Sequence, residues 1–438
     1  MIELLPWQVP LSDRLVEIFT RSDAAINAAA TGSGKTYCAI ETAKRLSLPF
    51  LVIAPKATLT SWKRVAEGMG AAALFKGAVN PERISLGKCP YYDGTAWHLD
   101  GIGMVVWDEI HRGCSGIDSK ATLGAARLKR LPIKKLFMSA TVADSPLKLR
   151  ALGYVLGFHD FSKAGFMKWC CKYGVFLNRN LPRPCYTFTK SKTAAAKHMA
   201  EVHKLMADRM LRLKVSDIPG FPESQLEPKL VDLEEHDRKA LAEAYSEMED
   251  RMKGSGTIPL TEMLRARERA EYVKASFMAE AAADLVEEGT SVVVFANFRS
   301  ALKRIKEKLG DYEVGEIGEI HGGQTAEERQ DWIDKFQANT CHVLLVMTAA
   351  GGTGLSLHDE RKERPRASLI TPGLSASEFR QALGRIHRVG GTPVVQTIVL
   401  ASGTIEERIY DAIQRKTMGI DAVNGSDSLT DSDLTGTA

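Results

Sequence analysis

Twice along this chain, short apolar runs alternate with stretches of helical spacing, and that rhythm limits the fold more than any other feature. In the first half the strand candidates are residues 24–29, 50–54, 104–107 and 135–138. The pattern resumes at residues 292–296, 342–347, 368–371 and 394–400. Such alternation predicts parallel sheets wrapped by helices. Residues 161–285 break it: they are charged, rich in helix formers, and interrupted by P-R-P at 182–184, P-G-F-P at 219–222 and G-S-G at 254–256. They predict a mainly helical insertion between two α/β lobes. With 438 residues available, the expected domains are a first lobe at 1–160, the insertion at 161–285, a second lobe at 286–405, and a C-terminal helix with a tail at 406–438. The closing VNGSDSLTDSDLTGTA is acidic and low in complexity, which predicts disorder.

Residues 30–36 read ATGSGKT, directly after a strand candidate and before the helix-like YCAIETAKRL. That is the setting of a phosphate-binding loop. Gly32 and Gly34 let the backbone N–H groups of Thr31 to Thr36 close around phosphates at a helix N-terminus. Lys35 reaches the terminal phosphates and the Thr36 hydroxyl is a magnesium ligand. The full motif has glycine where this chain has Ala29. About 70 residues on, W-D-E-I-H follows the apolar run M-V-V-W. Asp108 is expected to anchor magnesium and Glu109 to activate water. Next, M-S-A-T-V at 138–142 places Ser139 and Thr141 at the carboxyl edge of the sheet, where ligands of open α/β sheets gather.

A third signal lies near the C-terminus, in QALGRIHRVG at 381–390. Gln381, Arg385 and Arg388 are spaced i, i+4, i+7, which predicts one shared helix face. S-A-S-E at 375–378 has capping-box spacing, and Gly390-Gly391 is the expected stop.

Charge and cysteine content narrow the class. The net charge is only +4, yet twelve Lys or Arg lie between 161 and 214, opposed by Glu201 and Asp208 alone. Seven aromatic rings are interleaved with them, which suits either nucleic-acid contact or a solvated helical face over ordinary core rings. Seven cysteines without zinc spacing predict reduced thiols in a cytosolic protein and no structural metal. No apolar run is long enough to cross a bilayer, and MIELLPWQ lacks the parts of a signal peptide.

The order of these motifs resembles superfamily 2 helicases and translocases, and within them the Swi/Snf family of DNA-dependent ATPases. The likeness extends to LPWQ at 5–8, LVIAPKATLTSWKRV at 51–65, RMLRLKVSDIPGFPESQLEPKLVDL at 209–233, VVVFANFRSAL with HGG, TAAGGTGLSLH at 348–358 and GTIEERI at 403–409. The resemblance implies two RecA-like lobes flanking the helical insertion, with ATP and magnesium as cofactors. It assigns Gln8 to adenine and Gly354 to the nucleotide, and Arg385 and Arg388 with Gln381 to the transferring phosphoryl group. His111, Ser139 and Thr141 couple the sites. Lys56, Trp62, Arg299, His321 and Thr348 contact nucleic acid, with double-stranded DNA as the expected partner and no membrane association. Where the family has Asp-Pro and a Trp-Asn-Pro-like segment, this chain carries a charge-dense loop, DERKERPR at 359–366. That loop is either a solvated turn or an element that touches or separates nucleic acid.

Overall fold

The structure, a computed structural model, describes residues 2–114, 117–179, 184–233, 235–239, 241, 260–351 and 355–424. The G-S-G break, most of the P-R-P break, Gly354 and the tail beyond 424 lie outside these residues. Two compact units are present: one gathers chiefly residues 1–176 and 186–219, the other chiefly 220–417.

The first lobe is built on β1 (Ala24–Asn27), β2 (Phe50–Ile53), β3 (Phe75–Val79), β4 (Met104–Asp108) and β5 (Lys134–Met138). The segments β6 (Val175–Asn178) and β7 (Cys185–Phe188) form a separate two-stranded sheet. A short β8 (Met210–Leu211) then joins the main one, whose order is β3-β2-β4-β5-β1-β8 with every pairing parallel. Strands β1, β2 and β4 are buried along their whole length, which is why they read as unbroken apolar runs. Helix Leu59–Gly68 docks through Trp62, Val65 and Ala66, the i, i+3, i+4 stripe of an amphipathic helix.

The second lobe repeats the plan with β9 (Ser224–Val231), β10 (Ser291–Ala296), β11 (Glu316–Ile320), β12 (Cys341–Met347), β13 (Arg366–Ile370) and β14 (Val394–Ala401). Their order is β11-β12-β10-β13-β14-β9, again all parallel. Each lobe is RecA-like, and all eight expected strands are present within two residues of the expected bounds.

The intervening segment is helical at Lys163–Lys172, Lys192–Met206, Leu260–Val273 and Ala275–Glu287, yet it also supplies β8 to one sheet and β9 to the other. Both are edge strands, held by main-chain hydrogen bonds along one side. An edge tolerates the polar SQLEPKLV of β9, including Pro228. All seven cysteines are unpaired. Among the described residues no helix is long and apolar enough to cross a membrane.

Candidate nucleotide site and nucleic-acid interface

Strand order brings the first-lobe motifs together. Because β5 lies between β4 and β1 and all three are parallel, the loops after Asn27, Asp108 and Met138 leave the same sheet edge side by side. The Ser139 N–H donates to Asn27 O at 3.1 Å and the Ile110 N–H to Met138 O at 3.1 Å, which locks the three loops at their roots.

The phosphate-loop turn uses glycine where the backbone demands it. Gly34 has φ +87° and caps helix Lys35–Arg45, and a Cβ there would lie 2.1 Å from Gln8 Nε2. The Lys35 ammonium donates to Ala29 O at 2.9 Å and Ala30 O at 3.1 Å, so it closes over the loop's own carbonyls. Ser33 is buried, while Thr31 and Thr36 are half-buried. Gln8 is 3 % exposed; its Nε2 donates to Ser33 O at 3.2 Å and its Oε1 accepts the Leu5 N–H at 3.0 Å. The loop has further support that its motif does not announce. The Ala28 N–H donates to Leu211 O at 2.8 Å, the Ala30 N–H to Leu213 O at 3.0 Å, and Arg212 Nη1 to Ala28 O at 2.6 Å.

Asp108 ends β4, and burial together with the neighbouring Glu109 charge pushes its carboxyl up to about 7, against the pull of Lys35 and of the Trp62 indole. The Trp62 N–H donates to Asp108 Oδ2 at 3.1 Å. Trp62 therefore does not line a nucleic-acid track. It is 1 % exposed and serves the carboxylate, because its helix turns this residue inward with Val65 and Ala66. Asp108 and the Thr36 hydroxyl are an oxygen-only donor pair of the kind magnesium takes, the remaining positions falling to water and phosphate oxygens.

Glu109 sits at φ +50°, a left-handed backbone unusual for a side chain of its size and found where a site holds a residue in place. Its carboxylate accepts the Ser139 hydroxyl at 3.1 Å and lies 3.3 Å from His111 Nδ1. The same ring nitrogen is 2.8 Å from Ser139 Oγ and 3.3 Å from Thr141 Oγ1. Glu109, His111, Ser139 and Thr141 thus form one connected polar network.

In the second lobe, Ser375 caps helix Ala376–Ile386 by accepting the Glu378 N–H at 3.3 Å. The helix stops at Ile386, earlier than expected, so Arg388 is not on its face. The cause is His387, whose ring packs edge-on against Phe221 at 4.7 Å and bonds Pro222 O at 2.7 Å, pulling the backbone out of helical geometry. The two arginines still converge: Arg385 Nη1 donates to Leu355 O at 3.2 Å and Arg388 Nη2 to the same oxygen at 2.7 Å. Gln381 and Arg385 are buried, and burial lowers the Arg388 guanidinium to about 10.

The nucleic-acid candidates divide by exposure. Lys56 and Arg299 are exposed just past β2 and β10, and His321 is half-buried after β11. Thr348 is 3 % exposed with its hydroxyl bonded to Ala296 O at 3.2 Å, so it braces the loop instead of facing a ligand. Of the rings in the basic segment, Phe166 and Trp169 are buried beside Phe158 and His159, whereas Phe176 and Tyr186 are exposed on β6 and β7. In the charge-dense loop Glu360 to Glu363 face solvent. Arg366 is 1 % exposed and donates to Asn339 Oδ1 at 2.8 Å and Phe336 O at 3.1 Å, and Arg364 donates to Val286 O at 2.9 Å.

Parts of both lobes resemble known proteins. Residues 274–390 match the family described as "Helicase conserved C-terminal domain". Residues 1–67 match "Type III restriction enzyme, res subunit". A protein of Acanthamoeba polyphaga mimivirus, provisionally named an ATP-dependent RNA helicase, is 26% identical across 97% of this chain and 84% of its own length. An SNF2 domain-containing protein of Oryza sativa subsp. japonica is 32% identical over 139 residues, 31% of this chain and 14% of its own. A chromatin-remodeling ATPase of Saccharomyces cerevisiae is 29% identical over 148 residues, 33% of this chain and 10% of its own. The chain therefore spans most of the viral relative and a small part of the plant and yeast ones.

Proposed function

This chain is a superfamily 2 helicase-like ATPase of Swi/Snf likeness that acts on nucleic acid, and we propose that it couples ATP hydrolysis to movement along duplex DNA. The observation that carries the hydrolytic part is the network at one sheet edge, Glu109 held by Ser139 and His111 beside Asp108 and Lys35. Lys35 binds the terminal phosphates and Glu109 orients water, its proton-accepting oxygen kept in place by the Ser139 hydroxyl. When bound through Thr36 and Asp108, magnesium supplies charge neutralisation on the phosphates. The resemblance assigns Arg385 and Arg388, with Gln381, to the transferring phosphoryl group. Because Ser139 and His111 touch the carboxylate that orients water, and Thr141 touches both of them, a change at the phosphates reaches the rest of the lobe through them.

The duplex preference is supported by the likeness of QALGRIHRVGG and GTIEERI to the Swi/Snf pattern and by relatives named for SNF2 and chromatin remodeling. Binding of this kind is dominated by phosphate contacts, so it is steeply salt-dependent and nearly blind to sequence. The second reading, strand separation on RNA, is favoured by the name of the viral relative that aligns with almost the whole chain. The deciding experiment compares ATPase stimulation by duplex DNA, single-stranded DNA and RNA, alongside triplex-displacement and fork-unwinding assays. Duplex DNA should stimulate most and displace a triplex without opening a fork. Equal or greater stimulation by RNA, with fork opening, refutes the translocase reading.

A further inference from the structure

We propose that Glu271, on helix Leu260–Val273, is a positioning residue that sets the aim of Arg299 toward nucleic acid. The proposal rests on the reading of Arg299 as a phosphate contact. Glu271 is 1 % exposed, on a helix that no nucleotide or nucleic-acid motif includes. Its Oε1 accepts the Asn297 backbone N–H at 2.6 Å and the Thr371 hydroxyl, while Oε2 is buried without a hydrogen-bond partner among the described residues. Burial pushes this carboxyl up to about 7, despite the Thr371 hydroxyl and Lys274. A buried acid left half-satisfied is destabilising, and an apolar residue would serve packing alone better.

The same helix grips the loop after β10 at two further points. The Arg267 guanidinium lies 5.5 Å from the centre of the Phe298 ring, and Glu268 Oε1 accepts the Ser300 hydroxyl at 2.5 Å. Asn297, Phe298 and Ser300 are thus each held, by Glu271, Arg267 and Glu268. Within this run of four, the remaining residue is Arg299, and it is exposed. Three grips around one projecting cation form a mount for that cation. Lys274, bonded to Glu406 at 2.6 Å and to Val399 O at 2.8 Å, anchors the end of the helix to the body of the lobe.

The test is ATPase rate against duplex DNA concentration for the full chain carrying Arg299→Ala, Glu271→Ala, Glu271→Gln or the Arg299/Glu271 double alanine change. Glu271→Ala should raise the half-saturating DNA concentration about fivefold, the scale of coupling within one contact network, and retain kcat at saturating DNA. Glu271→Gln, which keeps the Oε1 acceptor, should restore half-saturation, and the double variant should bind no worse than Arg299→Ala alone. Should Glu271→Ala fail to fold, Ser300→Ala removes a neighbouring grip without a cavity and should shift half-saturation the same way. Additive effects in the double variant, or a lowered melting temperature with half-saturation unchanged, overturn the proposal. Unaltered half-saturation in Arg299→Ala overturns both the proposal and Arg299's place in the duplex-DNA reading; a defect there with none in Glu271→Ala overturns the proposal alone.

Discussion

Trp62→Phe separates the two roles available to this residue. The substitution keeps an aromatic ring in a site that is 1 % exposed and removes the fused pyrrole ring, with the N–H that reaches Asp108 Oδ2 at 3.1 Å. A hydrogen bond to a charged group contributes about 1.5–3 kcal/mol, and the lower end corresponds to roughly tenfold in an equilibrium constant. The indole also opposes the burial that raises the Asp108 carboxyl, so its loss disfavours the ionised ligand further. The expected outcome is an approximately tenfold rise in the magnesium concentration giving half-maximal ATPase, with half-saturation by DNA unchanged at excess magnesium. The assay is a magnesium titration of turnover at fixed ATP and saturating duplex DNA, paired with a DNA titration at saturating magnesium. An unmoved magnesium midpoint would refute the reasoning. A weakened DNA midpoint at unmoved magnesium would return Trp62 to the nucleic-acid interface.

Arg388→Ala should retain binding of a fluorescent nucleotide while turnover falls by about 10³ or more, as for arginine fingers elsewhere; normal turnover removes Arg388 from the reaction. Replacing Glu360 to Glu363 with Gly-Ser should leave melting temperature and ATPase unchanged, since these residues face solvent. Arg366→Met, in contrast, should cost about 2 kcal/mol by removing the donor to Asn339 Oδ1 and one of the donors to the Phe336 carbonyl, seen as an earlier denaturation midpoint. Glu271 titrates near 4.5 when unfolded and near 7 when folded, so its contribution is intact below pH 4.5 and is lost as pH rises through 7, on the order of 3 kcal/mol. Denaturant midpoints of Glu271→Gln should therefore decline less between pH 5 and pH 8 than those of the parent, and parallel pH profiles would contradict this.

How much of this was legible depended on what each residue had to satisfy. Central strands such as β4 and β12 are apolar because both of their faces are covered, so composition alone locates them. The edge strands β9 and β11, reading SQLEPKLV and EIGEI, are placed by pairing with β14 and β12, a relation between distant segments that no local pattern encodes. The phosphate loop was readable because backbone geometry at Gly32 and Gly34 dictates residue type. Motif position does not disclose side-chain direction, which is how Trp62 and Thr348 came to be expected at a surface they do not reach. Arg388 was placed by extending a helical period past Ile386, a break that depends on Phe221 and Pro222, far away in sequence. Nothing in the sequence around Glu271 signals its function, since three polar residues on a helix read as a solvated face until the loop they grip is seen.

The pairing of Ala28 and Ala30 with Leu211 and Leu213 has a consequence in the order of synthesis. A chain emerging from the ribosome completes β1 through β5 early, and domains tend to fold as they appear, N-terminal first. The phosphate loop at that stage lacks the two carbonyls that hold the Ala28 and Ala30 N–H groups, which disfavours the closed loop until residue 213 arrives. ATP binding should therefore switch on late in translation, some 175 residues after its signature has been made. A fragment ending at residue 160 would carry every first-lobe nucleotide motif and still hold ATP poorly, while one ending near residue 219 would hold it well.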